Sequence, residues 1–325
     1  MSELGYMLLD RASPLGSEGD SKLLRASFDA LDLKQHGGLA LVDIGAAGDL
    51  PPRFKPVEPW LAYIGFEPDE RSRTELLAKS SDCLSYTIHE HAIGAAHGSV
   101  DLHLLEGAVF SSTFEPDRAV LDRYPGSDKF DIVAKVTMDT VPLDSLGLQH
   151  CDFIKADIQG GELAALVGAS ETLARCFGLE VEVEFTQLYK DQPLFGDVQA
   201  FAAQQGFEFV DFLTLGRWSR DRDDRLGQCL YGDALFLRPP EQVMANAPDE
   251  RNIAAYLAVL ITYRRYDLAQ RAIGMLADGH PLRRGPLIEL VDKARGRQTR
   301  IAALHRAALR FTGGGTPGYR SHLFY

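Results

Sequence analysis

The segment Phe153-Ile-Lys-Ala-Asp-Ile-Gln-Gly-Gly-Glu162 places a lysine and two acids where an apolar strand turns into a helix. Strand alternation sets Phe153, Lys155 and Asp157 on one face, and Gly160-Gly161 turns the chain into a helix opened by Glu162. Lysine and aspartate inside a central strand are costly unless they are paired. Farther along, Glu180, Glu182 and Glu184 alternate with Leu179, Val181, Val183 and Phe185. A row of acids beside a buried lysine predicts that Lys155 is neutralised by Glu182 or Glu184. A carboxylate at a strand end can also take the proton of an alcohol, which is worth about 10²–10⁴-fold when well placed. Asp157 is the first candidate for that task and Glu184 the second. Glu162 is the third, although the helix dipole favours a carboxylate there in any case. Asp157, Glu162 and Glu184 together would suit a hard cation, but no aspartate-rich motif supports one and no metal site is expected.

A second constellation precedes it. Leu39-Ala-Leu-Val-Asp-Ile44 reads as a buried strand interrupted only by Asp43, and it runs into Gly45-Ala46-Ala47-Gly48, a turn of the smallest side chains. Glycine there permits backbone angles closed to other residues and lets a ligand lie close to the main chain. The next apolar strand, Leu61 to Phe66, ends in Glu67. A strand, a small-residue turn and an acid ending the following strand form the nucleotide-binding half of a doubly wound sheet, where that acid holds ribose hydroxyls. The spacing Gly45-x-x-Gly48 lacks the third glycine of dinucleotide sites, which argues against a nicotinamide cofactor. Asp43 suits S-adenosylmethionine (SAM), whose ammonium group needs a nearby anion. The plain alternative is a turn whose glycines only shape the chain.

Other residues with chemistry are weaker signals. His89 and His91 flank the end of the third strand; histidine titrates near neutrality, but a cofactor wall or a core position suits them better than a base. The run Arg217-Trp-Ser-Arg-Asp-Arg-Asp-Asp-Arg225 reads as a solvated loop, or as a lid whose Trp218 packs on an acceptor.

The elements that must position these residues alternate between strands and helices from Leu39 onward, which argues for an α/β doubly wound, mostly parallel sheet. Strands are predicted at Leu84–His91, Ser99–Leu105, Asp152–Ile158, Phe177–Phe185, Phe207–Leu213 and Tyr231–Arg238, the last two forming an antiparallel edge pair. Helices are predicted at Ser21–Leu33, Glu70–Ser80 and Gly161–Cys176. Past Pro239-Pro240 the pattern becomes a helical hairpin, Asn252–Leu276, broken at Tyr266-Asp267, and then a helix from Pro286 to Phe311. The expected organisation is an N-terminal helical lead (1–35), a nucleotide-binding domain (36–240) and a C-terminal helical appendage with its tail (241–325). Those terminal helices offer a homodimer surface.

The chain has 325 residues, 45% hydrophobic and 25% charged, so it easily buries a core. A formal net charge of −12 argues against a nucleic-acid partner, because phosphate contacts need clustered cations. The four cysteines form no C-x-x-C pair and read as reduced packing residues of a cytoplasmic protein. No secretory leader is evident at the N-terminus, and no apolar run is long enough for a membrane span.

Taken together, the sequence resembles the FkbM family of SAM-dependent methyltransferases. The resemblance rests on Val42-Asp-Ile-Gly-Ala-Ala-Gly48, Gly65-Phe-Glu-Pro68, Ser111-Ser112, Leu143-Asp-Ser-Leu146, Phe153-Ile-Lys-x-Asp-Ile-Gln-Gly-x-Glu162, Val181-Glu-Val-Glu-Phe185 with Leu188-Tyr189, Gly206-Phe207 and Gly232-Asp-Ala-Leu-Phe236. It implies a class I methyltransferase (Rossmann-like) fold, SAM as cofactor and a small-molecule or glycan hydroxyl as acceptor. By analogy Gly45–Gly48 would hold the methionine part, Glu67 and Pro68 the ribose side, and His91, Ala92 and Ile93 the adenine. Ser111 and Ser112 would also join the cofactor site. Gly161 stands where members often carry alanine. The competing reading is a non-catalytic SAM-binding module acting through its C-terminal helices; a nucleotide-dependent oxidoreductase is disfavoured by the missing third glycine.

Overall fold

The computed structural model describes residues 18–311 apart from 49, 80, 221–226 and 247. The expected lead before residue 18, the centre of the 217–225 loop and the tail from Gly313 lie outside the described residues. Ten strands follow in chain order: β1 (Leu39–Ile44), β2 (Leu61–Phe66), β3 (Ser85–His89), β4 (Ala92–Ile93), β5 (Gly98–Leu105), β6 (Ile132–Val141), β7 (Phe153–Ala156), β8 (Gly178–Glu184), β9 (Glu208–Trp218) and β10 (Gln228–Leu237). Seven of them form one sheet in the order β3-β2-β1-β7-β8-β10-β9. The first five are mutually parallel, and β10 runs antiparallel to both β8 and β9. The chain winds outward from β1 to β3, then crosses back to β7. Order therefore reverses between β1 and β7, where doubly wound sheets open a crevice at the carboxyl ends of their strands.

The central strands β1, β7 and β8 are buried on both faces, as their near-continuous apolar runs require. One face, carrying Leu39, Leu41 and Phe153, packs on the helix Glu250–Thr262 and on Phe28 of the helix Glu18–Ala30. The other face, with Val42, Ile44 and Ile154, packs on Ala165, Leu166, Val198 and Ala202 from the helices Glu162–Val167 and Phe195–Gln204. Every residue from Ile253 to Thr262 is buried, the signature of a helix apolar all round. The helix after Pro240 thus shares its core with the sheet instead of standing off as an appendage.

Three local expectations change. The predicted helix Gly161–Cys176 is two helices, Glu162–Val167 and Ser170–Leu173. They part at Gly168, where a Cβ would stand 2.0 Å from the Gly94 carbonyl oxygen. The strand expected to continue to His91 ends at His89, and Ala92–Ile93 instead pairs with Thr140–Val141. That pairing belongs to a second sheet, ordered β4-β6-β5, whose central strand went unpredicted. Residues 132–137 of β6 are exposed one after another, so no buried face prints a pattern on their sequence.

Candidate cofactor and active site

The glycine loop after β1 has the geometry its residues imply. Gly45 and Gly48 adopt φ of +82° and +98°, angles that favour glycine. The N–H groups of Gly45 and Ala46 donate to the Phe66 carbonyl at 3.0 and 3.1 Å, tying the loop to the end of β2. A Cβ at Gly45 would lie 2.1 Å from the Asp157 carbonyl oxygen, so the loop rests directly on the chain leaving β7. Ala46 is buried and Ala47 is exposed. Glu67 follows β2 and is buried; one carboxylate oxygen accepts the Asp69 N–H at 2.8 Å, and burial holds its carboxyl above the usual range. The neighbouring Pro68 carbonyl accepts from Arg73 at 2.9 Å.

His91, Ala92 and Ile93 leave the end of β3 for the small sheet, with Ile93 buried against the sheet face that carries Val42. His91 Nδ1 is buried and makes no hydrogen bond among the described residues. His89 stacks on Phe66, ring centroids 5.1 Å apart, and burial followed by His91 lowers its pKa. Ser111 Oγ accepts the Leu105 N–H at 3.2 Å. Ser112 is fully buried; its hydroxyl donates to the Gln159 carbonyl at 2.6 Å and accepts the Phe114 N–H at 3.0 Å. Ser112 therefore braces the loop after β7, whereas Ser111 caps the end of β5.

Strand register gathers the acids on one face. Asp43 lies opposite Lys155, Lys155 opposite Glu180, and Glu182 opposite Asp233. Lys155 Nζ stands 3.5 Å from Asp43 and 3.5 Å from Asp157. The predicted pairing with Glu182 or Glu184 is thus corrected: the lysine turns toward β1, its neighbour on the other side. Glu180, the acid in register with it, is taken by Arg53 at 3.0 Å and by the Tyr263 hydroxyl at 2.5 Å. Burial would lower the lysine's pKa, but Asp43 and Asp157 outweigh it and the net direction is up. Asp43 is only 3% exposed, and its second oxygen accepts the Tyr63 hydroxyl at 2.8 Å. One oxygen thus faces Tyr63 on β2 and the other Lys155 on β7, so Asp43 braces both neighbouring strands.

Asp157 sits just past β7, its N–H donating to the Ile44 carbonyl at 3.0 Å and its side chain 36% exposed. It is the accessible acid of the set. Glu162, by contrast, spends both oxygens on backbone N–H groups, those of Ile158 at 2.6 Å and Gly160 at 2.9 Å. Glu184 is 3% exposed, and burial pushes its carboxyl up to about 7. The carboxylates that converge are Asp157, Glu162 and Glu182, whose oxygens lie within 4.8 Å of one another. Glu182, not Glu184, completes that group. Burial and then the Asp157 charge raise its pKa well above the carboxylate range. Asp233 is pushed up to about 6, first by burial and then by Glu180. Sequence alternation pointed to the right row of acids but could not rank its members by depth. Trp218, considered as a lid, packs edge-on to Tyr124 and Phe130, centroids 5.7 Å from each.

Strand order, inverted β10, glycine loop and acid after β2 define a class I methyltransferase fold. The model of the methyltransferase FkbM domain matches residues 43–209, and the chain belongs to that family. The chain is similar to the 2-O-methyltransferase NoeI of Sinorhizobium fredii (strain NBRC 101917 / NGR234), 26% identical over 163 residues, 47% of this chain and 66% of that protein. It thus spans just under two thirds of that relative's length. Among solved structures it resembles the FkbM methyltransferase from Methylobacillus flagellatus KT, with a TM-score of 0.37 and 16% identity over 62% of this chain and 43% of that one. It also resembles the magnesium protoporphyrin IX methyltransferase (ChlM) from Synechocystis PCC 6803, solved with bound SAM, with a TM-score of 0.32 and 13% identity over 71% of this chain and 90% of that one. No helix among the described residues is long and apolar enough to cross a membrane.

Proposed function

We propose that the protein is a SAM-dependent O-methyltransferase whose acceptor is a hydroxyl of a sugar or secondary metabolite. The observation that carries this reading is the contact between the glycine loop and the chain at Asp157, which brings a close-approach backbone and an accessible carboxylate to one crevice. Membership of the FkbM methyltransferase family supports the reaction class, and the 2-O-methyltransferase activity in the name of the NoeI relative supports oxygen as the acceptor atom.

When bound, SAM supplies a methyl group already activated on a sulfonium. The Gly45–Gly48 backbone and Glu67 would hold it, with His91, Ala92 and Ile93 on the side of the adenine. The residues fit: a left-handed glycine turn admits a ligand against the main chain, and a buried acid after β2 can accept from ribose hydroxyls. Asp157 takes the proton of the acceptor hydroxyl, aligned near the strand ends. Glu162 anchors the loop that carries Asp157. Residues 36–240 supply this site, and the helices beyond complete its foundation. A second reading, a SAM-binding module without catalysis, keeps the same cofactor residues. Labelled SAM offered with a panel of methyl glycosides carrying single free hydroxyls separates the two. Transfer of label to oxygen is expected; tight binding of S-adenosylhomocysteine with no transfer to any member favours the second.

A further inference from the structure

Gln159 holds a backbone conformation that glutamine rarely adopts, φ +58°, between Ile158 and a left-handed Gly160. Such a conformation is strained and persists only where surroundings enforce it. Here every polar group of the side chain is engaged. Its Nε2 donates to Glu182 Oε2 at 2.5 Å and to Asp157 Oδ1 at 3.2 Å. Its Oε1 lies 3.3 Å from the hydroxyl of Tyr189, itself fully buried and donating to the Phe110 carbonyl at 2.7 Å. The Gln159 carbonyl accepts from Ser112. Two carboxylates beside Nε2 orient the amide, with the Tyr189 hydroxyl on its other side.

We infer that Gln159 is a positioning residue: its amide bridges Asp157 and Glu182, holding the exposed carboxylate at a fixed orientation over the crevice. The inference rests on the assignment of Asp157 as the base. Lys155 holds the other oxygen of Asp157, so the carboxylate is gripped at both ends, by a cation from its own strand and by an amide from the following loop. Loops are poor platforms for a reacting group unless a second set of contacts fixes them. Glu162 under the backbone, Ser112 on the carbonyl and Tyr189 behind the amide supply those contacts. The strained glutamine is the point where they meet.

The test compares Gln159→Gly with the parent in the full chain. Glycine accepts the local backbone angles, so the variant is expected to fold cooperatively and to bind S-adenosylhomocysteine within about three-fold by calorimetry. Turnover on an accepting methyl glycoside should fall at least tenfold with the KM for SAM unmoved. In carboxyl-labelled protein, the Glu182 carboxyl signal should titrate at higher pH than in the parent, because a donor to its charged form is gone. In an Asp157→Asn background, Gln159→Gly should cause little further loss, since it acts through that residue. An unshifted Glu182 titration, or parental turnover in Gln159→Gly while Asp157→Asn is inactive, overturns the inference and leaves the base assignment standing. Full turnover in Asp157→Asn overturns the base assignment instead, and the Glu182 titration alone then decides whether the bridge exists.

Discussion

Asp43 and Lys155 face each other across β1 and β7, in register and with Nζ 3.5 Å from the carboxylate. The pair sits at the switch point of the sheet, and Lys155 also reaches Asp157. One cation thus serves a structural acid below and the accessible acid above.

Replacing that cation should be severe. Lys155→Met leaves Asp43 buried without its charge partner, and breaking such a pair costs about 3–5 kcal/mol. Urea denaturation should show the loss, and Asp43→Asn combined with Lys155→Met should be less harmful than the sum of the two. Strict additivity would mean that the two side chains do not share an interaction.

Removing the acid after β2 should strike the cofactor. Glu67→Ala takes away a buried, charge-assisted acceptor worth roughly 1.5–3 kcal/mol, so calorimetric affinity for S-adenosylhomocysteine should weaken about 10- to 150-fold. Affinity equal to that of the parent would remove Glu67 from the site.

Loop geometry makes a sharper prediction at Gly45. An alanine Cβ would collide with the Asp157 carbonyl and must adopt φ near +82°. Gly45→Ala should therefore abolish the thermal stabilisation that S-adenosylhomocysteine confers on the parent, whereas Ala47→Gly at the exposed neighbour should preserve it.

Stability should depend on pH through Glu184. Its folded-state carboxyl is raised to about 7 by burial, so the native state holds a proton that the unfolded chain releases near pH 4.5. This contribution is complete below pH 4.5 and is lost as pH rises through about 7. Glu184→Gln should remove that loss. Measured by urea denaturation, the variant should gain on the order of 2–4 kcal/mol relative to the parent between pH 4.5 and pH 8. A constant difference across that range would show that Glu184 does not carry the proton.

Ending the chain at residue 246 should leave no folded domain. The helix Glu250–Thr262 covers Leu39, Leu41 and Phe153, and Tyr263 stacks on Phe153 with centroids 4.8 Å apart. The truncated chain is expected to lose its near-ultraviolet circular dichroism and to bind hydrophobic dyes; a cooperative unfolding transition would show that the sheet domain stands alone.

Much of this architecture was legible. Apolar runs disclosed β1 and β2, and the helix Pro286–Phe311 has the bounds its periodicity predicts. Local small-residue patterns disclosed the glycine loop. What stayed hidden were relations across strands. Alternation tells which face Lys155 occupies, but not that β1 lies on one side of it and β8 on the other, so its partner could not be chosen. The same limit concealed Glu182 and Gln159, whose roles come from convergence of a strand with a loop. The strand β6 was missed for a different reason: its residues 132–137 are exposed on both faces and leave no hydrophobic period to read.

The burial of helix Glu250–Thr262 against β1 has a consequence for the nascent polypeptide. Leu39 leaves the ribosome long before its covering residues are translated; at about 5–20 residues per second the interval is roughly 11–45 s. For that time one side of the central strands has only the helix Glu18–Ala30 to cover it, although β1 and β2 can already pair. The paired charges that clamp this helix, Arg251 with Asp152 at 2.7 Å, also join only then, and Asp152 in turn fixes the N–H of Ala40 at the very start of β1. Closure of the sheet is thus a late event in biosynthesis, and during translation this is the face that a chaperone would have to guard.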